Sequence, residues 1–404
     1  METPLLKGKG EAEAADDDCA AVRSFEEAMW VSWKEAVKLW RIAAPVAFTT
    51  LFQYLVVSVT TVFVGHLGDL ELSAVSLSVT VISGIPFGLL RFLQAQSKVS
   101  AMALIAFVAL IIQTGLLHLF INVFGWGTTG AAVAYDITHW GITVGQVVYI
   151  MVWCKEEWTG FSWLAFKDIW AFAKLSLASC MMFCLDSWYT MTINILAGLL
   201  ENAVIAVGSF SICMNFQNWE IMLLVGLNAA ISTRVSNELG MGRPRAAKYA
   251  VCTAVLQSLI VGILSMIAVF ISRDYFAMVF TNSEDMQRAV ARLAYFLGVT
   301  MLLNSATVVL SGVAVGGGWQ VMVAYINFAC YYLFGLPLAI FLGFKANLGA
   351  LGLWGGMMSG SAVQILLLLI VTSRTNWDRE VEQTTKRIKK WGSQETKTDK
   401  IDSS

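Results

Sequence analysis

Ten runs of about 20 apolar residues follow one another along the chain, at roughly 42–64, 71–90, 99–121, 129–153, 175–198, 203–225, 249–271, 293–315, 321–343 and 348–371. A helix rising ~1.5 Å per residue needs about 20 residues to cross the hydrocarbon core of a bilayer. The pattern predicts an all-α polytopic membrane protein with about ten transmembrane helices. Polar sequence divides them: 1–41 reads as a polar N-terminal tail, 155–174 as a linker and 373–404 as a charged C-terminal tail. Between these lie a lobe of four helices, 42–154, and a lobe of six, 175–372.

Lys and Arg in short loops set the orientation. Lys34, Lys38 and Arg41, then Arg91 and Lys98, then Lys155, Lys167 and Lys174 fall on one side. Arg234, Arg243, Arg245, Lys248 and the basic residues 386–390 fall on that side too. It is expected to be the cytoplasmic side, with both termini inside. Trp40, Trp126, Trp153 and Trp319 lie near predicted helix ends, as an interfacial aromatic belt requires. Trp188 and Trp140 sit deeper.

Composition agrees with this pattern. The chain is 57% hydrophobic and 14% charged, with mean hydropathy +0.67, against about 25% charged for a soluble domain. About 29 of the 55 Asp, Glu, Lys and Arg residues lie in the two tails, so the middle cannot coat a soluble surface. A soluble enzyme, a disordered scaffold and a secreted disulfide framework are excluded. A net charge of −1 offers no field for nucleic acid. The seven cysteines fall almost all in apolar runs, where they act as small hydrophobes. No disulfide and no metal site is expected. No basic n-region precedes a short apolar run, so the first span is expected to direct insertion itself.

The chain carries a weak internal repeat. A shift of 133 residues aligns Gly65–Val79 with Gly198–Ile212, matching Gly65 to Gly198 and Ser76 to Ser209. A second pair, Gly127–Ala132 with Gly349–Trp354, needs a shift of 222. The first half is therefore shorter than the second by about 89 residues, the length of two helices with their loops. The deficit falls between Phe87 and Arg91.

SWYTMTINILAGLLENA, SFSICMN, NAAISTRVSNELGMGRPRAAK and LSGVAVGGGWQ together resemble the plant MATE (multidrug and toxic compound extrusion, or DETOXIFICATION) family. The resemblance covers about residues 35–390 and implies two six-helix lobes. A glycine-rich loop after the family's second helix, and helices three and four, have no counterpart here. That places the gap where the repeat places it.

Asp186 lies about eleven residues into its predicted span, near the bilayer centre. A carboxyl there is costly and is a functional-site candidate; the alternative is an acid satisfied by Ser187 or Thr190. CLDSWYTM resembles the family motif whose acid is implicated in coupling, so the resemblance makes Asp186 the proton-coupling residue. Under the repeat Gln53 is its equivalent, a neutral amide in place of an acid. The resemblance also points to Asn304, expected to hydrogen-bond Asp186, and to Thr307, where a plant flavonoid and anion-carrier subgroup has Gln. Asp136 and His139, three apart, share a helix face as a relay or a satisfied pair. Glu220 is expected to snorkel or to pair with a basic loop residue. Asn194, Asn215, Gln217, Asn228 and Asn327 are, with Trp188, further cavity candidates. Gly316–Gly318 lacks the Lys-Ser/Thr of a phosphate loop and reads as a helix break. Pro45 and Pro337 are expected to kink their helices.

The resulting expectation is a proton-coupled antiporter, not an enzyme, that moves flavonoid-like or other anionic and xenobiotic solutes out of the cytosol by alternating access. It needs a proton gradient but no ATP or other cofactor. Its partners are a small organic solute, protons and the lipid bilayer, and the resemblance favours the vacuolar membrane over the plasma membrane. An intramembrane aspartyl protease would need two midplane acids with specific neighbours. The alternative is a non-transporting, shortened isoform or gene-model product acting on a full-length homologue.

Overall fold

Apolar periodicity becomes helix throughout this computed structural model, which describes residues 18–19, 24–65, 93–96, 98–154, 169–281 and 283–398. The major elements are α1 (Phe25–Gly65), α2 (Val99–Leu117, continued by a π-helical turn His118–Val123), α3 (Gly127–Trp153) and α4 (Ile169–Gly198). They continue with α5 (Ala203–Gly240), α6 (Pro244–Ser272), α7 (Glu284–Gly317), α8 (Gln320–Lys345), α9 (Gly349–Arg374) and α10 (Trp377–Thr398). There is no strand among the described residues. Nine of the ten expected spans coincide with helices; the tenth, 71–90, and the junction at Phe87–Arg91 lie outside the described residues. By length and composition alone, six helices among the described residues are apolar enough to cross a membrane.

The chain divides into two units, Trp40–Lys167 and Met1–Leu39 with Asp168–Ser404. Both polar end segments contribute helix. Helix α1 starts at Phe25, inside the polar 1–41 segment, and its first turns belong with the C-terminal unit. Glu35, 2% exposed, pairs with Arg234 at 3.1 Å and Lys38 at 2.7 Å, and Arg234 pairs with Glu238 at 2.7 Å. Asp18 accepts the backbone N–H groups of Arg245 and Ala246, capping α6 where its dipole favours an anion. The charged 373–404 segment forms α10, whose buried Trp377 packs on Trp319 while Glu380 accepts the Trp319 indole N–H. Charged residues along one side of a helix hide its apolar stripe from a hydropathy reading.

In the N-terminal unit, Leu117, Ala131 and Ala134 form the core with Val59, Phe63 and Phe120, and Phe52 packs on Phe107. In the C-terminal unit small residues let backbones touch, the usual device where lipid removes the hydrophobic drive. A Cβ on Gly312 would lie 2.6 Å from the Asn228 carbonyl oxygen, and one on Gly316 2.5 Å from that of Ser232, so α5 and α7 meet there. Gly352, Gly356 and Gly360 repeat the device every fourth residue of α9, against Leu342, Ala339 and Gly335 of α8. Gly318 ends α7 in the left-handed conformation at φ 79°. Pro337 lies between two π-helical turns, Ala329–Gly335 and Phe341–Lys345, rather than at a single kink.

Candidate functional site

The polar centre of the C-terminal unit is built where α4, α8 and α9 meet. Asp186 lies about three turns before the end of α4. The residue stands at an exposed position of α4 with its carboxyl largely enclosed by neighbouring groups, and the side chains behind it are buried. Tyr331, from the π-helical turn of α8, is close enough to the carboxyl to interact with it electrostatically, without reaching hydrogen-bond geometry. That hydroxyl donates to Gln364 Oε1 of α9 at 2.8 Å, and Gln364 Nε2 donates to Asn327 Oδ1 at 2.8 Å. Tyr331, Gln364 and Asn327 are 6%, 1% and 2% exposed. Tyr189 stacks on Tyr331 with centroids 4.6 Å apart, and Tyr332 donates to the Leu185 carbonyl at 3.1 Å.

A tyrosine hydroxyl has one proton. While it serves Gln364, the oxygen can only accept from Asp186, which requires a protonated Asp186. A charged Asp186 instead draws the tyrosine proton to itself and leaves the buried Gln364 oxygen without a donor. A hydrogen bond between Asp186 and Tyr331 would thus link the state of the carboxyl to a buried chain of side chains on two other helices.

Several expected site residues are placed differently. Asn304 is half-buried and its Nδ2 is enclosed without an acceptor. The expected hydrogen bond from that amide to Asp186 is not formed. Thr307 donates to the Leu303 carbonyl of its own helix, and Asn215, exposed, to that of Ser211. Asn228 clamps α5 to α7: its amide donates to the Val308 carbonyl at 2.6 Å and to Ser311 Oγ at 3.1 Å. Trp188 is exposed on α4. Glu220 neither snorkels nor pairs with a loop cation; it is 3% exposed, with both oxygens lacking a hydrogen-bond partner.

Gln53, Asp136 and His139 belong to the N-terminal unit. Gln53 is half-buried. His139 Nδ1 faces the Tyr135 carbonyl at 3.1 Å and its ring lies 3.9 Å from that of Tyr135, so its partner is Tyr135 and not Asp136. Sequence reasoning passed over Gln113, which joins α1, α2 and α3: it donates to Thr60 at 2.8 Å and accepts from Thr138 at 2.6 Å. It also passed over Tyr331 and Gln364. An apolar-aromatic run hides Tyr331, and Gln364 is a single amide in LLLL-rich sequence. An open apolar groove of about 620 Å³ along α8, lined by Trp319, Met322, Tyr325 and Leu367, does not include Asp186.

Comparison with known proteins matches residues 178–341 to the MatE family model. The chain is 48% identical to Protein DETOXIFICATION 35 of Arabidopsis thaliana, over 97% of this chain and 98% of that protein. It is 46% identical to Protein DETOXIFICATION 34 of the same plant, over 96% and 87%. Among solved structures it is similar to the eukaryotic MATE transporter AtDTX14, with TM-score 0.80 and 26% identity, covering 89% of this chain and 100% of that one. The Vibrio cholerae MATE transporter VcmN in the bent form shares the fold at TM-score 0.70 and 15% identity, over 88% and 99%. The all-helical fold, the polar centre and these relatives agree that this is a multi-pass membrane transporter and not an enzyme, and the chain belongs to the MATE family.

Proposed function

We propose that this transporter exchanges protons for organic, flavonoid-like or other anionic solutes, clearing them from the cytosol by alternating access, with Asp186 as the coupling group. The observation that carries the reading is the Asp186 carboxyl beside the buried Tyr331–Gln364–Asn327 chain. Across the apolar stretches 175–198, 203–233, 249–272, 293–317, 320–344 and 349–373 the sequence holds two charged residues, Asp186 and Glu220, and no cation. Such an acid is held neutral by protons rather than by an ion pair. The placement of Lys and Arg supports cytoplasmic termini, and the resemblance to vacuolar flavonoid carriers supports the vacuolar membrane. No ATP motif occurs in the sequence, so the gradient supplies the drive.

The test is pH-driven uptake of a flavonoid glycoside or organic anion into proteoliposomes by the wild type and Asp186→Asn, at matched protein amounts. Loss of gradient-dependent uptake in the variant is the expected result. Uptake equal to wild type would remove Asp186 from the mechanism.

One observation favours a second reading, a non-transporting chain. The alignment with DETOXIFICATION 35 is 479 positions long, so a chain of 404 leaves at least 75 positions of that relative unmatched. A lobe short of two helices exposes surfaces shaped for protein, and close packing in lipid is not replaced cheaply. Inserting the matching ~89-residue segment of a relative between Phe87 and Arg91, the difference between the two repeat shifts, is expected to raise uptake severalfold. Equal transport by the 404-residue chain would refute this second reading.

A further inference from the structure

A second carboxyl lies deep in the same unit. Glu220 is 3% exposed and both oxygens lack a hydrogen-bond partner. Its face of α5 can be read from contacts: Asn228 and Ile231 meet Gly312 of α7, and Val235 meets Gly316. Residues 220, 224, 228, 231 and 235 recur every three to four positions, so Glu220 stands on the stripe that faces α7. The two helices run parallel, since Gly208 approaches Met286 at one end and Ser232 approaches Gly316 at the other. Stepping back eight residues from the Asn228–Gly312 contact brings Glu220 to the level of Asn304, which shares its α7 face with Val308 and Ser311, the two partners of Asn228. Asn304 Nδ2 is buried with no acceptor. Two acceptors without donors thus stand at the depth of a donor without an acceptor.

The groups that face this level are neutral. From α6 the Ser265 hydroxyl approaches Glu220 without reaching hydrogen-bond geometry. From α7 there is Asn304. The stretches 203–233, 249–272 and 293–317 hold no Lys, Arg or Asp, and Glu220 is their one charged residue. A buried carboxylate with no cation and no donor carries a large desolvation cost, which a bound proton removes.

We propose that Glu220 is a second proton-carrying carboxyl of this transporter, closing with Asn304 as a neutral acid–amide pair. In the pair the acid O–H donates to Asn304 Oδ1, and Asn304 Nδ2 donates to the acid carbonyl. When the proton leaves to water, the carboxylate keeps only the Nδ2 donor and the pair opens. Two acids, Asp186 at an accessible position and Glu220 enclosed between α5, α6 and α7, then give the unit two places to hold a proton. The role of Glu220 in transport rests on the proton-exchange reading above; its protonation does not.

The experiment is infrared spectroscopy of the purified full chain in lipid nanodiscs, following the C=O stretch of protonated carboxyls through a pH titration. Glu220→Gln is expected to lose one protonated-carboxyl band present in the wild type at neutral pH, and Asp186→Asn a different one. Glu220→Asp is expected to move the Glu220 band rather than abolish it, which separates a missing proton from a misfolded variant. Asn304→Leu is expected to shift the same band towards that of a free acid. If Glu220→Gln leaves the spectrum unchanged, or the band appears only when sodium and rubidium are withdrawn, Glu220 holds no proton or holds a monovalent cation, and the proposal fails. If Asn304→Leu leaves the band in place, the pairing fails. Loss of the Glu220 band alone, with the spectrum of Asp186→Asn unchanged, supports this proposal and counts against the Asp186 reading.

Discussion

Two polar clusters, one in each unit, differ in how fully they are satisfied. In the N-terminal unit the central amide of Gln113 is closed on both sides by hydroxyls, and Thr60 also donates back to the Val56 carbonyl. Nothing in that clasp can change charge. The C-terminal unit instead holds carboxyls, one near Tyr331 and one enclosed without hydrogen-bond partners, while a buried ion cluster of Glu35, Arg234 and Glu238 lies near the far end of α5. A neutral, saturated network fixes helices in one arrangement. An unsaturated one leaves groups free to find partners in another arrangement, which the proposed coupling would require.

The contrast can be broken first at the ion cluster. Arg234→Gln leaves Glu35 and Glu238, at 2% and 3% exposure, facing each other without their shared cation. Breaking a buried pair in this way costs about 3–5 kcal/mol. Thermal unfolding in detergent is expected to show a melting temperature lower by about 10 °C, with Arg234→Lys recovering only part because lysine lacks the planar fork. An unchanged melting curve would mean that the cluster is solvated.

A smaller effect separates coupling from packing. Tyr331→Phe keeps the ring stacked on Tyr189 but removes the hydroxyl between Asp186 and Gln364. Gradient-driven uptake is expected to fall roughly tenfold, the weight of one buried hydrogen bond, with little change in melting temperature. A loss of stability without a change in the pH dependence of uptake would make Tyr331 a packing residue.

The smallest effect is expected in the saturated network. Gln113→Leu removes two interhelical hydrogen bonds, each worth about 0.6 kcal/mol in a membrane, and both threonines can bond to carbonyls of their own helices. Uptake should keep its pH dependence and melting should move by only a few degrees. A change in pH dependence would erase the distinction between the units.

The helical membrane architecture was legible in hydropathy because a span must be apolar over its whole length, whatever it packs against. Asp186 was legible for the same reason: a charge stands out against an apolar run. The ends of α1 and α10 were not, because residues such as Glu35, Lys38 and Trp377 read as polar tail until the C-terminal unit provides Arg234 and Trp319 to bury them.

By itself the sequence determined the helical class, nine spans that coincide with helices, the family resemblance and an acid standing alone in an apolar run. Tertiary structure alone decided that Tyr331, 145 residues further along the chain, and not Asn304, stands against Asp186. It also decided that Glu220 faces inward, and that Asn228 clamps two helices. The physical reason is that the cost of placing a group in lipid is a property of its own segment, whereas its hydrogen-bond partner is set by which helices touch and at what register. In this unit the register is fixed by glycines, Gly312 and Gly316 on one pair of helices and Gly352, Gly356 and Gly360 on another.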